Sequence, residues 1–365
     1  MRVCALDEKG KPVDWWFIYK VPKLSQAPAA AGKKTVSATG YEYAYYDPRT
    51  GTLSASDFRI DKGQGALNAT LDAVFRKPAA TTGWILYNDE MPADADRRDD
   101  GNLGHSKGVI AFDIKSKTAF WLLHSWPKYA DPSAKGVPVP TYGQTYLCIS
   151  IDLDTAAKLA AQMVNHQEPQ VYLPHMPAAL PKSSDLYRLT QRIDPNAKAD
   201  SDVVDYKSAG GLKFKVIAKN KLWNRDFWNE LVAPSLKADI DVETWIRGEV
   251  PPMLDSEGVY RTYDIKYIDF RPLGAAYAWP ETKDHAKWAI SEKSNWVCVG
   301  DINRMVSQRK RGGGTIALQD KALWTALKQT ELIAPPPGLT EAKARDVLKR
   351  AAADAKRHHG RATPG

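Results

Sequence analysis

Two triplets of the same form stand out in this chain, His105-Ser106-Lys107 and His285-Ala286-Lys287. In extended backbone, residues i and i+2 project to one face, so each triplet presents an imidazole beside an ammonium group. If the two converge on one cleft, the chemistry on offer is phosphoryl transfer. A neutral imidazole can bond phosphorus as a nucleophile, while a second, protonated imidazole gives its proton to the leaving oxygen. Two lysines neutralise the equatorial oxygens, a stabilisation that requires no metal. No convincing carboxylate cluster for Mg²⁺ accompanies them, and no metal or other cofactor is expected. Lysines beside the imidazoles disfavour their protonated forms, yet one must stay protonated, so activity is expected on the acidic side. A single His-x-Lys arises by chance in many chains; the second copy gives the first its weight.

The elements that must position these groups alternate between strands and a few helices. Strand-like runs cover 15–21, 41–46, 83–88, 108–114, 119–125 and 145–151, and a helix follows from Asp154, read as its N-cap, to 166. The Pro-rich stretch from 168 to 185 is expected to break regular structure. The second half brings a strand at 211–219, a helix near 224–237 and a β-like segment at 260–271. An order recurs: His-x-Lys heading a strand, a tryptophan-bearing strand, a third strand, then a helix from Asp154 or Asp320. His105 to Asp154 spans 49 residues and His285 to Asp320 spans 35, a difference that loop insertions absorb at little cost.

Composition narrows the function classes. The chain has 365 residues, 43% hydrophobic and 26% charged, as a folded soluble protein does, with 12 Trp and 16 Tyr. No apolar run reaches membrane-spanning length, and the N-terminus lacks a signal-peptide core, so a cytoplasmic or non-classically exported protein is expected. The net charge is +8, but the segment from Gly338 onward, with seven Lys/Arg against three Asp/Glu, supplies +4 of it. Overall charge therefore argues little for nucleic-acid binding, although the local run at 307–314, SQRKRGGG, is a candidate polyanion patch. Three cysteines without metal-ligand spacing make a structural zinc site improbable and leave room for one disulfide. His166, His175, His358 and His359, the acidic run at 96–100 and the Asn68 sequon are each read as structural or solvated.

Beyond the triplets, a series of segments resembles the deoxyribonuclease II family, whose fold belongs with the phospholipase D superfamily. They run in the family's order: PVDWWFIYKVPK (12–23), ILYNDE (85–90), GHSKGVIAFD (104–113), FWLLHSWPK (120–128), TYGQTYLCIS (141–150), KDHAKW (283–288), NWVCVGDINR (295–304), QRKRGGGT (308–315) and ALWTAL (322–327). The resemblance covers most of residues 4–330. It implies an α/β protein, a phospholipase D-like pseudo-dimer of two mixed β-sheet halves flanked by helices, with one active site at their junction. The halves are expected at 1–180 and 181–334, and 335–365 as a Pro linker and basic helical or disordered tail.

The same resemblance implies metal-independent endonucleolytic cleavage of DNA at acidic pH. The products would carry 3′-phosphate and 5′-hydroxyl ends, formed through a phosphohistidine intermediate and with little sequence preference. His285 with Lys287 matches the family's catalytic motif, His105 with Lys107 its first-half counterpart; which histidine attacks stays open. Asn303, 18 residues after His285, falls where superfamily members hold a phosphate-contacting amide, with His124 and Ser125 at the corresponding place in the first half. Arg309 and Arg311, beside a triple glycine, are candidates for the backbone phosphate, since arginine forks onto phosphate and glycines expose N–H groups. Cys4 and Cys148 match positions paired in animal members, so a bridge between them is expected in an oxidising environment; Cys298 matches a paired cysteine whose partner position is Ala317. A homodimer that enlarges the cleft is compatible with this reading. The rivals are a phosphodiesterase of the same fold acting on phospholipid or another diester, a non-catalytic DNA-binding relative or toxin component, and a metal-dependent nuclease.

Overall fold

The computed structural model describes residues 2–25, 37–91, 101, 103–128, 141–191, 198–251 and 260–332. The basic tail, His358 and His359 and the acidic run at 96–100 lie outside the described residues. Eight strands from the first half form one sheet: β1 (Trp15–Lys20), β2 (Tyr43–Tyr46), β3 (Ser54–Ala55), β4 (Thr82–Tyr87), β5 (Gly108–Asp113), β6 (Thr118–His124), β7 (Gln144–Asp152) and β8 (Val171–His175). The second half supplies β9 (Ser201–Lys207), β10 (Lys213–Lys219), β11 (Ile240–Thr244), β12 (Thr262–Asp264), β13 (Tyr267–Asp269), β14 (Ala278–Pro280), β15 (Lys287–Ser291), β16 (Trp296–Gly300), β17 (Gly313–Gln319) and β18 (Glu331–Leu332). The first sheet has the order β3-β2-β1-β7-β6-β5-β4-β8, the second β12-β11-β15-β16-β17-β10-β9, and β14-β13-β18 form a small third sheet.

Read from the strand that follows each His-x-Lys, the two large sheets share one order. β4-β5-β6-β7-β1 in the first corresponds to β11-β15-β16-β17-β10 in the second, both in space and in chain order, whereas the strands beyond, β2 and β9, are connected differently. The repeat found in the sequence thus extends to strands that no motif marks.

Strands β1, β5 and β7 are almost wholly buried, which explains why they read as continuous apolar runs rather than alternating ones. Period-two geometry sorts them between two faces. Trp15, Phe17 and Tyr19 join a core shared with Trp288 and Ile316 of the second sheet, while Trp16 and Ile18 face a separate cluster with Leu67, Leu71 and Val74. Those three belong to α1 (Gly65–Phe75). The shared core also receives Leu159 of α2 (Leu153–Gln162) and Leu323 and Leu327 of a later helix (Lys321–Thr330). A third cluster covers the other face of the second sheet with Trp228, Val232 and Leu236.

Several local expectations shift. Asp152, not Asp154, caps α2, its carboxylate accepting from Thr155 N–H at 2.7 Å, because the helix starts at Leu153 directly where β7 ends. Asp154 sits in the first helical turn and pairs with Lys158. The Pro-rich stretch contains β8 and a short α3 (Asp185–Leu189); Pro174 is tolerated since β8 lies at a sheet edge, where a missing N–H costs no ladder bond. The helix near 224–237 folds as a wide turn at Trp228–Val232 running into α4 (Ala233–Leu236), and the segment at 260–271 divides into β12 and β13. The helix Lys321–Thr330, α5, is capped by Asp320 as its sequence indicates. None of the helices described is long and apolar enough to cross a membrane.

Candidate active site

His105 precedes β5 and His285 precedes β15, so both lie where a strand enters its sheet. Each is pinned by the opposite half. His105 N–H donates to Gly312 C=O at 2.8 Å, and His285 N–H donates to Gly143 C=O at 2.9 Å. Gly312 and Gly143 immediately precede β17 and β7, the corresponding strands of the two sheets. Glycine is required at both by close approach rather than by flexibility. A Cβ on Gly143 would fall 2.5 Å from the Asp284 carboxylate, and one on Gly312 2.6 Å from the Gln167 carbonyl. Asp284 is itself fixed, accepting from Tyr19 Oη at 2.6 Å, Trp279 Nε1 at 2.7 Å and Ala286 N–H at 2.8 Å.

The two imidazoles have different surroundings. His105 places Nδ1 2.8 Å from the Asp301 carbonyl, which makes Nδ1 the donor, and Nε2 3.4 Å from Asp89 Oδ2. Asp89 also pairs closely with Lys107 Nζ and stands 3.6 Å from Arg311. His285 instead stacks on Tyr142, ring centroids 3.9 Å apart at 7°, with Trp245 at 4.2 Å. Its Nε2 is buried and has no hydrogen-bond partner among the described residues. Arg247 lies over the Trp245 ring at 4.2 Å and donates to Tyr142 Oη at 3.2 Å. Lys287 Nζ donates to His285 C=O at 2.7 Å.

Charge couples the groups into one cluster. Burial pushes His105 down to about 3; Lys107, Lys287 and Arg311 push the same way, while Asp89 opposes them. His285 is lowered by burial first, then by Lys287, Lys107, Arg247 and His105. Burial and Lys107 bring Lys287 down to about 7, against the pull of Asp89, Asp301 and Asp284. The depressed imidazoles expected from the lysines are therefore present, but burial is the larger cause. Asp301 is pushed up to about 8 by burial, with Lys107 opposing. Asp89 is also pushed up by burial, but the His105, Lys107 and Arg311 charges outweigh it and hold its carboxyl well below the ordinary range.

The remaining candidates separate. Asn303 is buried with its side-chain oxygen unpartnered, two residues beyond Asp301. His124 lies in the core behind Lys107, accepting from Trp126 N–H at Nδ1, and Ser125 is closed between Gln144 and Thr145 N–H. Both are buried, and the His124 ring feels the charges of Lys107 and Asp89. Arg311 donates to the Leu103 and Gly104 carbonyls and builds the wall around His105, whereas the Arg309 charge is felt at Asp226. Of the triple glycine, Gly313 and Gly314 are ladder residues of β17 opposite Lys219 and Ala218, while Gly312 stands before the strand and accepts the His105 N–H. Lys219, wholly buried, holds the preceding loop by donating to the carbonyls of Gln308, Arg309 and Arg311.

The Cys4–Cys148 bridge is not formed. Both are buried free thiols, and burial, helped at Cys148 by Cys4, raises them so that the thiolate needed for exchange is scarce. Cys298 is free too, and it faces Ala317 directly across β16 and β17. Asp89, Tyr142, Trp245, Arg247 and Asp301 are site residues that sequence reasoning did not select. Asp89, Tyr142 and Asp301 lay within the quoted segments ILYNDE, TYGQTYLCIS and NWVCVGDINR; Trp245 and Arg247 lay in none.

One buried imidazole, His124, and two half-buried ones, His105 and His285, also set a pH dependence of stability. His105 and His124 titrate at about 3 in the fold against about 6.5 unfolded, and His285 is lowered as well. The unfolded chain therefore binds more protons between those values, and stability is lost as pH falls through that window. For His124, on the order of 2 kcal/mol goes between pH 6.5 and 5. Urea midpoints over that range should fall with acid, and His124→Gln should flatten the slope; an unchanged slope would remove His124 from the account.

Comparison with known proteins agrees with this geometry. A family model described as Deoxyribonuclease II matches residues 4–333. A Burkholderia pseudomallei protein named "Putative deoxyribonuclease-2" is 62% identical over 96% of this chain and 98% of its own length. Deoxyribonuclease-2 of Caenorhabditis elegans is 32% identical over 88% of this chain and 90% of its own, and rat Deoxyribonuclease-2-alpha 30% over 88% and 91%. A match of this extent, laid over two histidines each held by the other half of the molecule, makes the chain a member of the deoxyribonuclease II family.

Proposed function

We propose that this chain cleaves DNA phosphodiester bonds at the junction of two phospholipase D-like halves, residues 1–180 and 181–334. It does so without a divalent metal and leaves 3′-phosphate and 5′-hydroxyl ends. As a deoxyribonuclease II family member it is a DNA-degrading nuclease; the finer chemistry is the reading advanced here. The observation that carries it is the reciprocal pinning of His105 and His285 by Gly312 and Gly143, with Lys107 and Lys287 electrostatically coupled to both. One imidazole bonds phosphorus and the other protonates the departing 5′-oxygen; water then releases the 3′-phosphate. The lysines, Asn303 and Arg247 face the phosphate, and contacts of that kind give little sequence preference and strong salt sensitivity. The imidazoles take up a proton more readily once an anionic phosphate arrives, which places the optimum on the acidic side. A second copy of the chain enlarging the cleft belongs to the same reading and is checked by sedimentation.

The test is plasmid nicking at pH 5 in EDTA, with phosphatidylcholine as the competing diester. Nicking in chelator with no lipid hydrolysis is expected. The product ends should accept a 5′ label from polynucleotide kinase without prior phosphatase treatment. A requirement for phosphatase would reverse the end chemistry. Full dependence on added Mg²⁺, or lipid turnover in place of nicking, would overturn the reading.

A further inference from the structure

We infer that Asp89 is a positioning residue that makes the two histidines unequal, fixing His105 as the proton donor and His285 as the imidazole that bonds phosphorus. The inference deepens the proposed function and rests on it. Its ground is strand register. Tyr87 pairs with Gly108, the residue after Lys107; Glu243 pairs with Trp288, the residue after Lys287. Tyr87 and Glu243 therefore occupy corresponding places, and two residues further on, so do Asp89 and Trp245. The repeat that makes the halves alike places a buried carboxylate beside one imidazole and an indole beside the other.

The consequence is chemical. Around His105 stand Asp89, Lys107, Arg311 and Lys287, and the ring is held at both nitrogens: Nδ1 on the Asp301 carbonyl, Nε2 facing the Asp89 carboxylate. Burial opposes a charge on either ring, but His105 is the one with a carboxylate facing it, which makes it the better placed to carry a proton on each nitrogen; so protonated, it has no lone pair to attack with. Around His285 stand Lys287, Lys107, Arg247 and His105, all cationic or neutral, and the ring stacks on Tyr142 with the tilted Trp245 ring at its side, its Nε2 unpartnered among the described residues. That imidazole stays neutral and its lone pair is available. In the first step the Nε2 lone pair of His285 forms the N–P bond, the P–O5′ bond breaks, and the departing oxygen takes the Nε2 proton of His105. In the second, water attacks phosphorus, its proton passes to His105, and the P–N bond breaks to release the 3′-phosphate strand and neutral His285.

A substrate whose leaving group needs no proton separates the roles. On thymidine 3′-(p-nitrophenyl phosphate), His105→Ala and Asp89→Asn should keep the first-turnover burst of nitrophenolate within about tenfold of wild type, while both lose about 10²-fold or more on DNA. His285→Ala should give no burst. Asp89→Asn removes a negative charge from the cleft, so KM for DNA should fall while kcat falls, and Asp89→Glu should recover part of kcat, a pattern that mere loss of packing does not give. Alkaline quench and mass spectrometry should find the adduct on His285. An adduct on His105, a burst in His285→Ala but not His105→Ala, or Asp89→Asn indistinguishable from wild type on DNA would each overturn the assignment. So would a folded Asp89→Asn dead on both substrates. If Asp89→Asn does not fold, Asp89→Glu and the His105→Ala burst decide. Wild type that cuts neither substrate would instead be a failure of the proposed function.

Discussion

His285→Ala is expected to yield a folded protein that still binds DNA but cuts it about 10⁴-fold more slowly, the upper end of what a single acid–base group supplies and a modest figure for a lost nucleophile. Folding should survive because the ring contributes mainly its stacking on Tyr142 and Trp245, worth about 1 kcal/mol, while the backbone bond to Gly143 is kept. Binding should survive because Lys107, Lys287 and Arg247 remain, and phosphate contacts dominate affinity. Plasmid nicking and a filter or gel binding assay on the same preparation check both halves of the statement. Undiminished nicking removes His285 from the chemistry. Lost binding with lost nicking would make the residue structural instead.

The second large effect concerns stability rather than chemistry. Arg304 is buried, with Nε 3.2 Å from Asp226, Nη1 2.8 Å from Asp264 and Nη2 3.1 Å from the Pro251 carbonyl. Its N–H also donates to Thr244 Oγ1 at 3.0 Å, tying the residue after Asn303 to the end of β11. Arg304→Ala leaves the Asp226 carboxyl, already raised by burial, without its cation, and removing one partner of such a buried pair costs about 3–5 kcal/mol. Arg304→Lys should rescue little, because a single ammonium cannot serve three acceptors in a fixed fork. The urea midpoint of both variants should fall sharply, and cleavage by any folded fraction should fall with it as Asn303 shifts. A variant of native stability would show that the pairs contribute nothing net.

On the proposed mechanism, the contrast between Asp89 and Trp245 would give the site a direction. A two-fold repeat supplies two equivalent imidazoles, but a nucleophile and an acid need opposite protonation states. A carboxylate and an indole at corresponding places in register would provide that without disturbing the strands that carry them. Tyr142, Trp245 and Arg247 close the His285 side with aromatic rings and one cation, so the two walls of the cleft are unlike even where the backbones match.

The sequence by itself determined the strands around both triplets, the α5 cap at Asp320, the class of the fold and the pairing of His105 with His285. Those follow from periodicity, capping and a repeated order of elements, all of which act over a few residues and can be read locally. It could also place Cys298 opposite Ala317, since a family match carries cross-strand positions with it. The tertiary structure decided the rest. Only strand register shows that Asp89 and Trp245 occupy corresponding places, because register is set by cross-strand pairs such as Tyr87 with Gly108 and Glu243 with Trp288, which no local pattern records. Only packing pairs Gly313 and Gly314 with β10 and puts Arg311 beside His105 while the charge of Arg309 acts on Asp226. The protonation of the site, finally, is a property of burial: the same His and Lys side chains in solvent would titrate at ordinary values, and no local pattern records how deeply each is enclosed.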